Sequence, residues 1–329
     1  LALLATDSGA MGLLCDFDEL AQTDFHVRDA AWSVIDLRTL NLTLSSNQAL
    51  EAFSGKAEDI AFLQYTSGST GQPRGVAVSH FNLIDNSERI RSAMALTPAS
   101  SVLVGLPLFH DMGLVGGVLQ SLYTGCSASF LPPAELVQHP ERWLQRISKY
   151  RITTSGGPNF MYELAANEIC AQDMEGMDLR SWKIAFCGAE PVRASTVRNF
   201  TEKFAAAGFD PDAFFPCYGM AEATLLISGG PAGQRPMIAR HDDVEVVACG
   251  QPSPGLSVRV VDPQSLLPLQ DGQVGEVWVA GGSVARGYWN NQAQSVLSFE
   301  AQLAGHPQQH FLRTGDLGWL ENGQLFVSG

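Results

Sequence analysis

Residues 63–80 read "LQYTSGSTGQPRGVAVSH", a segment rich in Gly, Ser and Thr between an apolar run and a helical pattern. Its glycines let backbone N–H groups approach a ligand, its hydroxyls add donors, and Arg74 adds a positive charge with bidentate geometry. An apolar run that feeds directly into such a loop favours anion binding over a plain surface turn. The Walker A and G-x-G-x-x-G orders are both absent, so the two common phosphate fingerprints do not apply.

The pattern around this segment predicts a layered α/β unit with a largely parallel sheet. Between about residues 30 and 220, short apolar runs alternate with longer helical patterns. Residues 59–66 predict a strand that enters the loop, and residues 80–96 predict a helix capped by Ser79. Further strands are predicted within 101–109, 152–157 and 182–190, and further helices within 113–123, 140–150, 161–170 and 192–207.

A change of rhythm near residue 240 predicts a second structural unit. Short strands separated by turn residues follow that point, and Asn322-Gly323 is a strong two-residue hairpin turn. We therefore expect an α/β core over residues 1–240 and a small β-rich subdomain over residues 241–329.

Composition narrows the classes of function. The chain has 329 residues, is 45% hydrophobic and carries a net charge of −14, a balance that disfavours nucleic acid and anionic lipid surfaces as partners. No apolar run is long enough to span a membrane, and the first residues do not resemble a signal peptide. Six cysteines are scattered singly, without a C-x-x-C pair, as expected for reduced thiols in the cytoplasm.

Six motifs stand in a fixed order along the chain and together identify a family resemblance. They are "YTSGSTGQPRGV" at 65–76, "PLFHDMGL" at 107–114, "GAEPV" at 188–192, "YGMAEAT" at 218–224, "GEVWVAGGSVARGYW" at 275–289 and "RTGDLG" at 313–318. Their order and wording resemble the adenylate-forming enzymes, the superfamily of acyl-CoA synthetases and peptide-synthetase adenylation domains. Within it, "FHDMGL", "CGAEPV" and "YGMAEATL" most resemble the fatty acyl-AMP ligases.

The resemblance implies an adenylate-forming fold with a distorted β-barrel in its β-rich part, and it implies a ligase. Such an enzyme joins a fatty acid to AMP at the expense of ATP with Mg²⁺, releases pyrophosphate and passes the acyl group to a carrier protein's phosphopantetheine. Two alternatives stay open: an acyl-CoA synthetase, and a nucleotide-binding domain without turnover.

Roles for individual residues follow from the resemblance. The loop from Thr66 through Gly71 would line the triphosphate, with Arg74, the position where the family usually has Lys, near the departing pyrophosphate. Glu222 would bind Mg²⁺, Asp316 the ribose hydroxyls, and His110 would border the acyl tunnel near the carboxylate. The triphosphate group comprises Thr66, Ser67, Gly68, Ser69, Thr70 and Gly71, and the adenine group comprises Gly188, Ala189, Glu190, Tyr218, Gly219 and Met220.

Several of these residues have an equally ordinary structural explanation. His110 could be a hydrogen-bonded structural histidine, and Asp111 is read as its structural neighbour. Small residues at 156–158, with Met161 nearby, could line the acyl tunnel or simply pack in the core.

The chain also departs from the family pattern. It is expected to lack the start of the large domain and the small C-terminal domain with its reactive Lys, which would slow adenylation by about 10²- to 10³-fold. The segment 231–248 is shorter than expected for an acyl-AMP ligase, either through a true deletion or because residues are omitted.

Overall fold

The computed structural model describes residues 2–15, 33–36, 54–66 and 73–328. The α-helices in this part are Ala2–Ser8, His80–Ala93, Asp111–Gly113, Gln120–Thr124, Pro133–Gln138, Pro140–Tyr150, Asn159–Glu168, Ala194–Phe204 and Gln292–Phe299. The strands are Gly12–Cys15, Ser33–Asp36, Ile60–Thr66, Arg74–Ser79, Ser101–Val104, Ser127–Phe130, Thr154–Gly157, Ile184–Cys187, Phe214–Gly219, Leu226–Gly229, Ile238–His241, Val244–Val247, Gln251–Pro252, Ser257–Val261, Gly275–Ala280, Ala301–Leu303, His306–Glu321 and Gln324–Val327.

A seven-stranded main sheet forms the centre of the α/β part, which confirms the predicted fold class. Its strands follow the order Gln251–Pro252, Leu226–Gly229, Phe214–Gly219, Ile184–Cys187, Thr154–Gly157, Ser101–Val104 and Ser127–Phe130. The last five of these strands are parallel, and the first two add antiparallel edges. The strands Ser101–Val104 and Ile184–Cys187 are largely buried, which is why they read as apolar runs in the sequence, whereas the edge strand Ser127–Phe130 is mostly exposed.

Aromatic side chains fill the core beneath this sheet. The ring centroids of Trp143 and Tyr162 lie 5.3 Å apart in an edge-to-face contact, and Trp182 and Phe200 join the same cluster. The indole nitrogen of Trp143 donates to Ser155 Oγ over 2.9 Å, so its one polar atom is satisfied. Such contacts fix the helices against the strands that carry the candidate site.

The segment from Arg74 to Ser79 is a strand, for which the sequence predicted no element. It pairs antiparallel with Ile60–Thr66, so that the Gly-rich segment joins the two strands of a hairpin. The physical reason is burial on both faces: Val76, Ala77 and Val78 are all at most 5% exposed, an environment that suits β-branched residues in a strand.

The helix His80–Ala93 begins where the sequence predicts. The Ser79 hydroxyl accepts from the Asn82 backbone N–H, and the Asn82 side chain accepts in turn from the Ser79 N–H, which forms a capping box. Two buried asparagines tie this helix to distant chain: Asn82 donates to Gly282 and Val284 carbonyls, and Asn86 donates to those of Ala223 and Leu226. The helix therefore connects the main sheet to the β-rich part.

The predicted helix over residues 113–123 has an unusual middle. Its turns at Asp111–Gly113 and Gln120–Thr124 are α-helical, but Leu114–Leu119 forms a π-helix. Gly117 packs against Val104 here: an added Cβ would lie only 2.9 Å from the valine methyls. π-Helical turns are rare and are found mostly at functional sites.

An antiparallel second sheet follows, as the β-rich pattern predicts. Its strand order is Ser257–Val261, Gly275–Ala280, His306–Glu321 and Ala301–Leu303, with Gln324–Val327 paired to the third of these. Asn322 and Gly323 take φ angles of 52° and 76°, so the predicted hairpin turn is confirmed. The helix Gln292–Phe299 was not anticipated, and the boundary near residue 240 stays a prediction.

None of the helices in the described ranges combines the length and the apolarity needed to cross a lipid bilayer.

Candidate active site

Two adjoining cavities lie where the parallel strands end and the second sheet meets the main sheet. The polar cleft, of about 500 Å³, is lined by residues that include Thr66, Arg74, Glu222, Tyr288 and Arg313. The apolar cavity, of about 180 Å³, is lined by residues that include His110, Phe186, Tyr218 and Leu225. Met220 lines both spaces, so they meet at this side chain. The carboxyl edge of a parallel sheet is the usual place for ligands in open α/β folds.

Glu222 is a buried carboxylate that faces the polar cleft. Burial raises its pKa above the ordinary value of 4.5, and the Tyr288 hydroxyl, which donates to Glu222 Oε1 over 2.8 Å, acts in the opposite direction. The Arg74 guanidinium lies 5.3 Å from the Tyr288 ring centroid, a cation–π geometry. The Glu222 carboxylate and the Arg74 guanidinium thus both contact Tyr288 in the polar cleft.

Tyr288 is a site residue that sequence reasoning missed. It lies at the end of the motif 275–289, and burial raises its pKa to about 12, so it remains a neutral hydrogen-bond donor. The signal was present in the sequence as an aromatic residue in a matched motif, but no spacing rule connects residue 288 to residue 222. A contact over 66 positions is visible in the folded chain alone.

Asp316 reaches the site through Tyr218, whose hydroxyl donates to Asp316 Oδ2 over 2.5 Å. Burial raises the pKa of Asp316 above 3.8, and the hydrogen bond from Tyr218 lowers it in part. A half-buried carboxylate with a second free oxygen suits a neutral diol, because each oxygen accepts hydrogen bonds.

A partly buried ion pair supports the turn before Asp316. Arg313 Nη2 lies 2.7 Å from Glu276 Oε2, and Glu276 Oε1 also accepts from the Gly315 N–H over 3.2 Å. The Arg313 guanidinium packs over the Trp278 ring at 5.5 Å. Sequence reasoning assigned no role to Arg313 or Glu276, although both stand in matched motifs.

Metal binding at Glu222 would rely on ligands from outside the protein. In the described ranges no group of three or more His, Cys, Asp or Glu side chains could hold a metal ion. Mg²⁺ is often held by one or two carboxylates together with phosphate oxygens and water. One buried carboxylate in an open polar cleft fits that mode of binding.

The start of the chain holds the strand that ends at Thr66. Asp7 Oδ2 accepts from the Tyr65 hydroxyl over 2.5 Å, while the Asp7 carbonyl accepts from the Trp289 indole over 3.1 Å and from the Asn290 amide over 3.0 Å. Asp7 therefore joins the hairpin of Ile60–Thr66 and Arg74–Ser79 to the chain segment that carries Tyr288.

His110 stands at the mouth of the apolar cavity, half exposed. Its Nδ1 lies 2.7 Å from Asp111 Oδ1, and this hydrogen bond raises the pKa of His110 above 6.5. The Met112 N–H is also 2.7 Å from Asp111 Oδ1 but 3.2 Å from His110 Nδ1, so the carboxylate is its better acceptor. His110 Nδ1 accordingly carries a proton, and Asp111 orients the imidazole.

Replacement of Asp111 with asparagine is expected to remove a pH-dependent contribution to stability. Because the folded pKa of His110 is raised above 6.5, this contribution is complete below about pH 6.5 and is lost as pH rises through the folded value. The Tm of wild type minus that of D111N should therefore be larger near pH 6 than near pH 8.5. Thermal scans across this range test the prediction, and a difference that is constant with pH would contradict it.

The remaining predicted residues divide into four groups. Ala189, Tyr218, Gly219 and Met220 line the apolar cavity. Glu190 Oε1 instead accepts from the Phe160 N–H over 2.6 Å, at the start of the helix Asn159–Glu168. Residues that belong to neither lining are Gly188, Gly156, Gly157, Pro158 and Met161. Those that lie outside the described residues are Ser67, Gly68, Ser69, Thr70 and Gly71.

Core packing explains the small residues at 156 and 157. A Cβ at Gly156 would meet the Phe186 carbonyl at 1.9 Å, and one at Gly157 would meet Met161 Sδ at 2.2 Å. These glycines permit close contact with neighbouring core groups and do not line the described cavity.

Comparisons with known proteins give a family match and several similar proteins. Residues 4–289 match the family model described as AMP-binding enzyme. The chain is 42% identical to the medium-chain-fatty-acid–[acyl-carrier-protein] ligase TtuA of Teredinibacter turnerae, over 84% of this chain and 47% of that protein. It is 38% identical to JamA of Moorena producens, a ligase of the same description, over 98% of this chain and 58% of that protein.

A solved structure resembles the fold closely. The fatty acyl-adenylate ligase from L. pneumophila, in complex with acyl adenylate and pyrophosphate, superimposes with a TM-score of 0.91 at 38% identity and covers 99% of this chain and 60% of that one. The chain thus spans about half the length of the curated relatives it matches.

Proposed function

This chain belongs to the family of AMP-binding enzymes, and from this premise we propose that it carries the ATP and fatty-acid sites of a fatty acyl-AMP ligase. The observation that carries the proposal is the junction at Met220, a side chain that lines both the apolar cavity and the polar cleft. A fatty acid placed in the apolar cavity would present its carboxylate at this junction. A triphosphate in the polar cleft would then lie within reach of the carboxylate.

In the proposed reaction a fatty acid carboxylate oxygen attacks the α-phosphorus of ATP. The bond to the β-phosphate oxygen breaks, and acyl-AMP and pyrophosphate are the products. Arg74 would neutralise charge on the departing pyrophosphate, and Thr66 would donate to a phosphate oxygen. The loop residues between them, 67–71, are assigned the same role by resemblance alone.

The other residues would bind and orient the two substrates. Asp316 would accept hydrogen bonds from the ribose hydroxyls, and Tyr218, which is held by Asp316 and lines the apolar cavity, would pack between the adenine and the acyl chain. His110, oriented by Asp111, would face the carboxylate at the cavity mouth. Glu222 would hold Mg²⁺ together with phosphate oxygens; when bound, this ion neutralises charge on the phosphates.

We further propose that the acyl group passes to the phosphopantetheine thiol of an acyl carrier protein, as the names of the two bacterial relatives suggest. A cytoplasmic location is part of the proposal, because the reaction consumes ATP and the described cysteines 126, 170, 187, 217 and 249 are free thiols.

The test is a product assay on the full-length protein that carries this chain. The protein is incubated with ATP, Mg²⁺ and a labelled fatty acid, and either CoA or a phosphopantetheinylated carrier protein is added. We expect acyl-AMP that persists with CoA and is consumed by the carrier protein. Rapid formation of acyl-CoA would instead indicate a CoA synthetase, and nucleotide binding without any acyl-AMP would indicate a domain without turnover.

A further inference from the structure

A third cavity lies behind the apolar cavity, at the opposite edge of the main sheet. This back cleft, of about 480 Å³, is lined by residues near the starts of the parallel strands, among them Ser100, Thr153, Lys183 and Ala213. Met94 and Thr154 line both the back cleft and the apolar cavity. Two side chains therefore stand between the acyl site and a space that opens on the far side of the sheet.

The apolar cavity is small compared with a long fatty acid. A cavity of about 150 Å³ holds a benzene-sized molecule of six carbons. The apolar cavity measures about 180 Å³, which matches a short alkyl segment. An acid whose carboxylate stays at His110 must place its remaining methylene groups beyond the inner wall.

We propose that Met94 is a movable wall of the acyl site, and that the back cleft is the subsite for the distal part of acyl chains too long for the apolar cavity. This inference rests on the proposed function, because it extends the same acyl site. Displacement of one thioether side chain would join the two cavities into one channel along the main sheet.

The position of Met94 suits a movable wall better than that of Thr154. Met94 immediately follows the helix His80–Ala93 and is partly buried, whereas Thr154 is 3% exposed and lies in a central strand. Methionine is unbranched, has three rotatable side-chain bonds and adapts its shape to irregular spaces. A rotamer change at Met94 needs no movement of the sheet.

The lining of the back cleft fits the end of an alkyl chain near water. Met94, Ala95 and Ala213 contribute apolar surface, and polar side chains, among them Lys183, Asp210 and Asp212, line the rest of the cleft. Methylene groups would contact the apolar part, and a terminus that extends past it would reach solvent. The subsite consequently imposes no sharp upper limit on chain length.

The experiment compares octanoic and hexadecanoic acid in the full-length protein. We measure kcat/KM for acyl-AMP formation and, independently, the dissociation constant of each acid by calorimetry. Met94→Ala should raise the preference for the longer acid about tenfold, and Met94→Trp should lower it by a similar factor, since one or a few methylene contacts discriminate by that much. Met174→Ala is the matched control: Met174 is partly buried against the same core but lines neither cavity.

The outcomes separate this inference from the proposed function. If the chain-length preference of both Met94 variants stays within twofold of wild type, in turnover and in binding, the movable wall is overturned while the ligase assignment stands. If no protein forms acyl-AMP but Met94→Ala binds hexadecanoic acid more tightly relative to octanoic acid, the ligase assignment fails and the subsite is supported. Thermal melts confirm that each variant is folded.

Discussion

Replacement of Glu222 with glutamine is expected to reduce acyl-AMP formation by about 100- to 1,000-fold, the usual cost of removing one group that stabilises transition-state charge. The amide keeps the size of the side chain and an oxygen that can accept from the Tyr288 hydroxyl. It loses the negative charge that a Mg²⁺ ligand must supply. The substitution should therefore lower the rate of acyl-AMP formation without disrupting the fold.

The stability of E222Q is expected not to fall, in contrast to its activity. Burial raises the pKa of Glu222, which means that the folded state favours the protonated form over the charged one. A neutral glutamine removes this penalty, so the Tm of E222Q at pH 7 should equal or exceed that of wild type.

The control for this variant is Glu88→Gln. Glu88 lies exposed on the helix His80–Ala93, where it pairs with Arg91 and accepts from Tyr123. Its replacement should leave the rate of acyl-AMP formation within about twofold of wild type, as is usual for exposed sites. An E222Q protein that keeps more than a tenth of wild-type activity would show that Glu222 is not the metal ligand.

Replacement of Asp316 with asparagine is expected to raise the KM for ATP by about 100-fold. Two hydrogen bonds to a charged acceptor contribute about 1.5–3 kcal/mol each, and each 1.4 kcal/mol corresponds to a factor of ten. The amide nitrogen cannot accept a hydrogen bond, so one ribose hydroxyl loses its partner. We expect a smaller effect on kcat, because the ribose does not react.

A comparison of ATP with 2′-deoxy-ATP isolates the contact. Wild type should discriminate strongly against the deoxynucleotide, and D316N should discriminate much less, because the hydroxyl and its acceptor form one interaction. Asp262→Asn is the control, since Asp262 is a turn carboxylate that accepts from Gln264 on the surface of the β-rich part. Equal discrimination by wild type and D316N would remove Asp316 from the ribose site.

Local patterns in the sequence predicted the elements that depend on interactions between residues close together in the chain. The helix His80–Ala93 follows from the Ser79 cap, and the hairpin turn at Asn322 follows from tolerance of positive φ. The strand Arg74–Ser79 was not predicted because its consecutive apolar residues Val76, Ala77 and Val78 show no alternation with polar residues that would indicate a strand. Burial on both faces decides that case, and burial is a property of the whole fold.

Resemblance to family motifs predicted part of the candidate site. Resemblance selected Glu222, Tyr218 and Asp316; Glu222 lines the polar cleft, Tyr218 lines the apolar cavity, and Asp316 is joined to the site by its hydrogen bond from Tyr218. It did not select Tyr288 or the pair of Glu276 and Arg313, whose contacts span 66 and 37 positions. Glu276 and Arg313 lie on neighbouring antiparallel strands, and Tyr288 meets Glu222 through packing of the folded chain, so no sequence period encodes these contacts.

The hydrogen bonds of Asp7 also constrain when the site can form during synthesis. Its carbonyl accepts from the Trp289 indole, 282 positions later in the chain. At about 5–20 residues per second, a ribosome needs roughly 14 to 56 s to make that intervening length. The hairpin that carries Thr66 and Arg74 consequently remains without the segment around Trp289 while most of the main sheet is still being translated. Protection of this early segment by chaperones would matter most in that interval.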